Sequence, residues 1–203
     1  MKSTAANRTF RSNPFTLVVA LFACLTLATP ARGAFHLWNI QQLYTDNSGS
    51  LQYIQLFDSS GGQNFVGGMQ IQVANVGGTQ THTFTIPGVT LGGNTFNHAL
   101  LFGTSSLQAF GAPPPDFILP NNFLFAGGGS ISFFGANSGP YTALPTDGTL
   151  SRNWGGSNTP NSPQNYAGQS GFITVPEPAT GALLAAGAII STLAFRRRKV
   201  TRC

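Results

Sequence analysis

Only 7% of the 203 residues are charged, while Gly (25), Phe (17) and Pro (13) are abundant, a composition unlike that of ordinary cytosolic enzymes. The formal charge of +5 is carried by the ends of the chain: Lys2, Arg8, Arg11 and Arg32 at one, Arg196, Arg197, Arg198, Lys199 and Arg202 at the other. Between Ala34 and Val175 stands one cation, Arg152, against Asp46, Asp58, Asp116 and Asp147, for a formal charge of −3; so few cations exclude a phosphate backbone as partner.

The first 33 residues read as a secretory signal peptide: a basic region through Arg11, an apolar run from Phe15 to Ala28, then Pro30 and small residues. Cleavage after Gly33 places Ala31 and Gly33 at the small-residue positions, whereas cleavage after Ala34 would put Arg32 there. The run is short for an uncleaved membrane anchor. Cys24 is apolar filler within it, and Cys203 lies at the far end in a segment also expected to be removed, so the mature domain has no thiol for a disulfide, a zinc site or a nucleophile.

Residues 34–139 read as an all-β domain. Met69, Ile71 and Val73 alternate with Gln70 and Gln72, and His82, Phe84 and Ile86 alternate with Thr81, Thr83 and Thr85, so each segment should bury one face and expose the other. Further strands are expected at Leu37 to Tyr44, Leu51 to Phe57, Ala99 to Phe102, Phe117 to Leu119, Phe123 to Phe125, Ser130 to Phe134 and Gly171 to Thr174. Turn clusters such as Asp46-Asn47-Ser48-Gly49, Gly77-Gly78 and Gly127-Gly128-Gly129 separate them. Short strands at this spacing indicate a sandwich.

The order His36-Leu37-Trp38 with Ile40, then Gly49 and Tyr53-Ile54-Gln55-Leu56, then Val66-Gly67-Gly68 and an alternating strand, then Leu100-Leu101, resembles the lamin-tail type of immunoglobulin-like β-sandwich. Pro115-Asp116-Phe117 and Gly129-Ser130-Ile131 fit its secreted bacterial relatives. Gln55 stands where that type carries an acidic residue. The resemblance implies a fold and no function.

Residues 140–174, rich in Gly, Ser, Asn, Thr and Pro, read as a loop or stalk with a last short strand. Within it Tyr141 and Trp154 are candidate ligand contacts, because an aromatic ring can stack on a sugar; packing of the loop against the sandwich is the competing reading. Chemistry elsewhere is sparse. His36, His82 and His98 show no metal-ligand spacing, and the four aspartates occupy turn-forming contexts in which the carboxylate bonds its own backbone. Asp46 to Ser50 hints at a calcium loop but lacks the full spacing and the closing Glu. No catalytic residue, metal site or cofactor is expected.

Residues 175–203 carry the most specific pattern: Val175, Pro176, Glu177 and Pro178, an apolar run from Ala179 to Phe195, then Arg196, Arg197, Arg198 and Lys199. Prolines hold the chain extended, as a protease groove requires. The run is at the lower limit for crossing a bilayer, and the cations after it should stay cytoplasmic, leaving Pro176 to Pro178 and everything before them outside. A plain tail anchor is the alternative. In order, spacing and position the pattern resembles the PEP-CTERM sorting signal of exopolysaccharide-producing bacteria. That resemblance implies transient anchoring in the inner membrane by a transmembrane helix. It further implies recognition of Pro176, Glu177 and Pro178 by an exosortase, and release or transfer to the surface. The expectation is therefore a noncatalytic, exported surface or matrix protein of the exopolysaccharide envelope or biofilm, dependent on the secretion machinery. A secreted carbohydrate- or calcium-binding module, or further off a secreted hydrolase, stands as the alternative.

Overall fold

Alternation decides which residues meet. The computed structural model describes residues 37–134 and 137–175. Among them ten strands form two sheets: β1 (Trp38–Thr45), β2 (Gln52–Asp58), β3 (Gln70–Asn75), β4 (Thr81–Thr85), β5 (His98–Thr104), β6 (Phe117–Leu119), β7 (Gly129–Phe133), β8 (Asn137–Tyr141), β9 (Leu150–Asn153) and β10 (Asn158–Pro160). One sheet has the order β10-β9-β1-β2-β5-β6, the other β4-β3-β7-β8. All pairs are antiparallel except β5 with β6. The result is an all-β protein of two facing sheets. The signal peptide and the C-terminal helix expected from the sequence lie outside the described residues.

On the inner faces Trp38, Ile40, Leu43, Ile54, Leu56, Leu100 and Phe102 of the larger sheet meet Ile71, Val73, Ile131 and Phe133 of the smaller one in a common core. Trp38 is fully buried, its indole N–H donating to Gln63 O at 3.1 Å. Burying a side chain of this kind contributes about 1.5–3 kcal/mol. The alternation read in β3 holds, with Ile71 and Val73 buried and Gln70 and Gln72 exposed. In β4 the threonines are exposed while His82 and Phe84 turn half-buried toward the other sheet, with Phe84 edge-on to Phe102 at 6.0 Å.

β2 and β5 are buried on both faces. The outer face of the larger sheet carries a second apolar cluster of Tyr44, Leu51, Tyr53, Leu101, Leu107, Ala112 and Ile173. It is covered by a 3-10 turn, Leu107–Phe110, and by the chain from 161 to 175.

That cover corrects the reading of 140–174 as a loop or stalk. The boundary drawn at 139 falls inside β8, β9 pairs with β1, and β10 pairs with β9. After β10 the chain runs as a strap across the sheet, and its alternate backbone N–H groups are accepted by side chains below. Ser162 N–H donates to Gln42 Oε1 at 3.2 Å, Gln164 N–H to Gln55 Oε1 at 2.7 Å and Tyr166 N–H to Asp116 Oδ2 at 2.9 Å. Asn161 closes the strap on itself: its amide donates to Thr149 O and Ile173 O at 2.8 and 3.0 Å and accepts from Ile173 N–H at 2.6 Å. Composition hid this because the segment is held by backbone and amide hydrogen bonds rather than by an apolar period. For the same reason Phe123 to Phe125 and Gly171 to Thr174 are not strands. Phe123 and Leu124 are buried in a turn that the Gln52 side chain fastens from both sides, donating to Leu124 O and accepting from Leu124 N–H, each at 3.0 Å.

Replacing Asn161 with Ala should leave the buried N–H of Ile173 and two carbonyls without this partner and cost about 2–3 kcal/mol. Denaturant midpoints check this, and limited proteolysis should begin within the strap before the sandwich opens. Asp116 gives a pH prediction. Burial pushes its carboxyl above the ordinary carboxylate value, and the N–H groups of Leu101 and Tyr166 only partly oppose that. A raised folded value means that folding takes up a proton, so this residue's contribution to stability declines as pH rises from about 4 through its folded value. Asp116→Asn keeps an acceptor and removes the charge. Urea midpoints measured against pH should show that decline in the wild type and lack it in the variant.

Candidate functional site

A bulge in β1 builds a polar hollow on the larger sheet. The register slips between Ile40 and Gln42, so that Gln41 is the extra residue. After the slip Leu43 returns to the core, while Gln42 and Tyr44 stand on the outer face opposite Gln55 and Tyr53. The two tyrosine rings stack at 5.2 Å. Gln42 is saturated: its amide donates toward Asn153 Oδ1 at 3.2 Å and Thr159 Oγ1 at 3.4 Å, and its carbonyl accepts from the Tyr53 hydroxyl and Ser162 N–H. Burial drives the phenols of Tyr44 and Tyr53 well above the ordinary tyrosine range, so both are neutral donors at any physiological pH.

Around this frame lies a groove of about 520 Å³ lined by Asn39, Gln41, Gln42, Gln55, Asn153 and Ser162, with Ile40, Phe57, Trp154 and Pro160 as its apolar members. No ionisable side chain lines it. Trp154 stands at its rim. Its backbone N–H donates to Gln41 O at 3.0 Å, and its half-buried ring rests against the core. The ring also lies over Gly139 of β8, where a Cβ would come within 3.3 Å of it. On the other side of the indole is a smaller hollow of about 200 Å³ that includes Arg152. The guanidinium of Arg152 donates to the carbonyls of Gly156 and Ala143, each at 2.6 Å, which fixes the β9–β10 hairpin that presents Trp154.

Of the two aromatic residues singled out from sequence, Trp154 edges the larger groove, and Tyr141 lines the smaller hollow together with Trp154. Tyr141 is 7% exposed and belongs to the main core. Its hydroxyl accepts from Phe125 N–H at 3.2 Å and donates back to Phe125 O. Its ring packs in the core, so that of the two residues Trp154 presents the more accessible ring. The groove's amides gave no sequence signal, because Gln42 and Gln55 converge only through the bulge and the strap.

The carboxylates behave as turn builders or clamps. Asp46 accepts from Leu51 N–H at 3.0 Å and from the Ser50 hydroxyl at 3.2 Å. Asp58 is fully buried and accepts from Ser60 N–H and the Thr95 hydroxyl. Slight desolvation pushes the Asp147 carboxyl up, but the N–H groups of Leu150 and Thr149 with the Thr149 hydroxyl outweigh it and hold the carboxyl below the ordinary value. His82 stacks on Phe125 at 4.6 Å, and His98 lies against Tyr166 at 4.8 Å. Among the described residues no three His, Cys, Asp or Glu side chains come together as a metal-binding group.

At the other end of the strap, Val175 packs over Gly148 and against the outer cluster. Thr174 N–H donates to Phe110 O at 3.1 Å. Pro176, Glu177 and Pro178 follow at once in the chain; they and Arg196, Arg197, Arg198 and Lys199 lie outside the described residues. No curated protein and no solved structure matches this chain. Residues 174–199 match the family model of the PEP-CTERM protein-sorting motif. A motif of this kind is the recognition signal of an exosortase. The chain therefore carries a PEP-CTERM sorting motif and is an exported protein, held transiently in the membrane until an exosortase processes it.

Proposed function

We propose that the processed domain is a noncatalytic surface or matrix protein that associates with neutral exopolysaccharide through the groove beside Trp154. The observation that carries this reading is the lining: amides and hydroxyls with an aromatic rim and no ionisable group. Sugar hydroxyls donate and accept in equal measure, as amides and hydroxyls do, and an indole face offers the apolar platform that a pyranose ring covers. The noncatalytic reading is supported by the engagement of Asp46, Asp58 and Asp147 in their own loops and of Asp116 in holding the strap. The sandwich itself we read as of the lamin-tail, immunoglobulin-like type, supported by its two sheets and the buried Trp38. Residues 1–33 act in this scheme as the signal peptide that delivers the chain to the secretion machinery.

Two measurements test the scheme separately. The protein recovered from outside host cells should have an intact mass ending between Val175 and Pro178, and replacing Pro176 and Pro178 with Ala should leave the full chain in the membrane. A recovered mass that retains Phe195 to Arg198 would refute processing. For the groove, Trp154→Ala should weaken binding to the host's own exopolysaccharide about tenfold or more, a loss expected of a buried aromatic anchor, while Trp154→Phe retains most of it. Equal affinity in the alanine variant, measured by titration calorimetry with unchanged circular dichroism, would remove Trp154 from the contact.

A further inference from the structure

Each sheet has two edges, and three of the four are protected. β6 and β10 are three residues long, and β10 ends in Pro160. β8 contains Pro140, which has no N–H, and it is tied to β1 through Asn137, whose side chain accepts from Ile40 N–H at 3.2 Å and donates to Asn39 Oδ1 at 3.0 Å. The fourth edge is β4, Thr81-His82-Thr83-Phe84-Thr85. It has no proline and no charge, and among the described residues it pairs on one side only, with β3. Edges usually carry such protection because an open row of N–H and C=O groups recruits another strand.

The ladder fixes which groups point outward. Asn75 N–H donates to Gln80 O and Ile86 N–H to Met69 O, and the register pairs Val73 with His82 and Ile71 with Phe84. By antiparallel alternation, Gln80, His82, Phe84 and Ile86 direct their backbone groups to β3. Thr81, Thr83 and Thr85 therefore direct theirs to the open side, and their side chains are exposed as well.

We propose that β4 is a self-association edge, pairing antiparallel with β4 of a second copy across a two-fold axis at Thr83. The sequence of the strand is self-complementary in that arrangement. Thr83 meets its own counterpart, Thr81 meets Thr85, and His82 meets Phe84, so each outward N–H and C=O finds a partner in an isologous interface. Threonine pairs across a ladder are favourable, and no like charges oppose each other. The occupant is a second copy because the pattern matches itself and β3, β4, β7 and β8 contain no charged residue that would select or repel a different partner. The product is one continuous sheet, β8-β7-β3-β4 joined to β4-β3-β7-β8. An interface this small falls in the weak class, below about 1,200 Å², so it forms at the high local concentrations of a surface layer.

Sedimentation equilibrium of the exported protein, from about 10 to 500 μM to span weak association, should show a mass rising toward twice that of the monomer. Thr83→Lys and Thr83→Asp each place like charges face to face at the axis and should each remain monomeric across the range, with unchanged circular dichroism and thermal midpoint. Mixing the two variants places Lys opposite Asp and should restore the doubled mass. A wild-type protein that stays monomeric throughout would overturn the proposal, as would dimers that persist in both single variants. Monomeric variants whose mixture stays monomeric would overturn the two-fold pairing at Thr83.

Discussion

Gln42 sits at the crossing of five segments. It belongs to β1, accepts from Tyr53 of β2, donates to Asn153 of β9 and Thr159 of β10, and holds the strap through Ser162 N–H. It does so 5% exposed. A buried amide carries four hydrogen-bonding valences, and leaving any of them empty in an apolar setting is expensive. Its saturation therefore specifies how β9, β10 and the strap lie on β1. The bulge at Gln41 is the geometric condition for this, because without the slip Gln42 would face the core and Leu43 the solvent.

The same logic runs through the rest of the outer layer. A domain with one cation cannot fasten loops with ion pairs, so Gln55, Asn161, Asn165 and Asp116 do that work with hydrogen bonds to backbone. The amide bonds among these are scarcely screened by salt, unlike pairs of exposed charges. For an exported protein, which meets an ionic strength set by the surroundings, that is a consistent physical choice.

The inner halves of the strands were legible in sequence because burial on one face writes a two-residue period. β3, β4 and β6 were placed to within a residue or so, as were the apolar runs of β1, β2, β5 and β7. The sorting motif was legible for a different reason, since it is a linear signal in which order and spacing are the whole content. What the sequence did not disclose is everything held by long-range polar contacts. β9, β10 and the strap have no apolar period, and Asn161 bonds Ile173 twelve residues away while Gln42 bonds Ser162 across 120. Tyr141 and Trp154 illustrate the limit. Both are aromatic residues in a polar stretch, yet the fold buries the ring of Tyr141 in the core and leaves that of Trp154 half-buried over Gly139 at the rim of a groove.

The groove and the open edge are set apart by the order of the smaller sheet. Trp154 rests on β8, the edge strand of the smaller sheet that Asn137 ties to β1, whereas β4 is the opposite edge, beyond β7 and β3. Pairing through β4 as proposed therefore engages an edge that contributes no residue to the groove. A polymer of repeating sugars offers many equivalent sites, so a protein with two such grooves gains by holding the second at a high effective concentration once the first is filled. Shallow, neutral grooves bind weakly one at a time. On the proposed reading, a weak dimer of weak binders would retain a polysaccharide where both are concentrated and release it where they are dilute, which suits a chain that is exported singly.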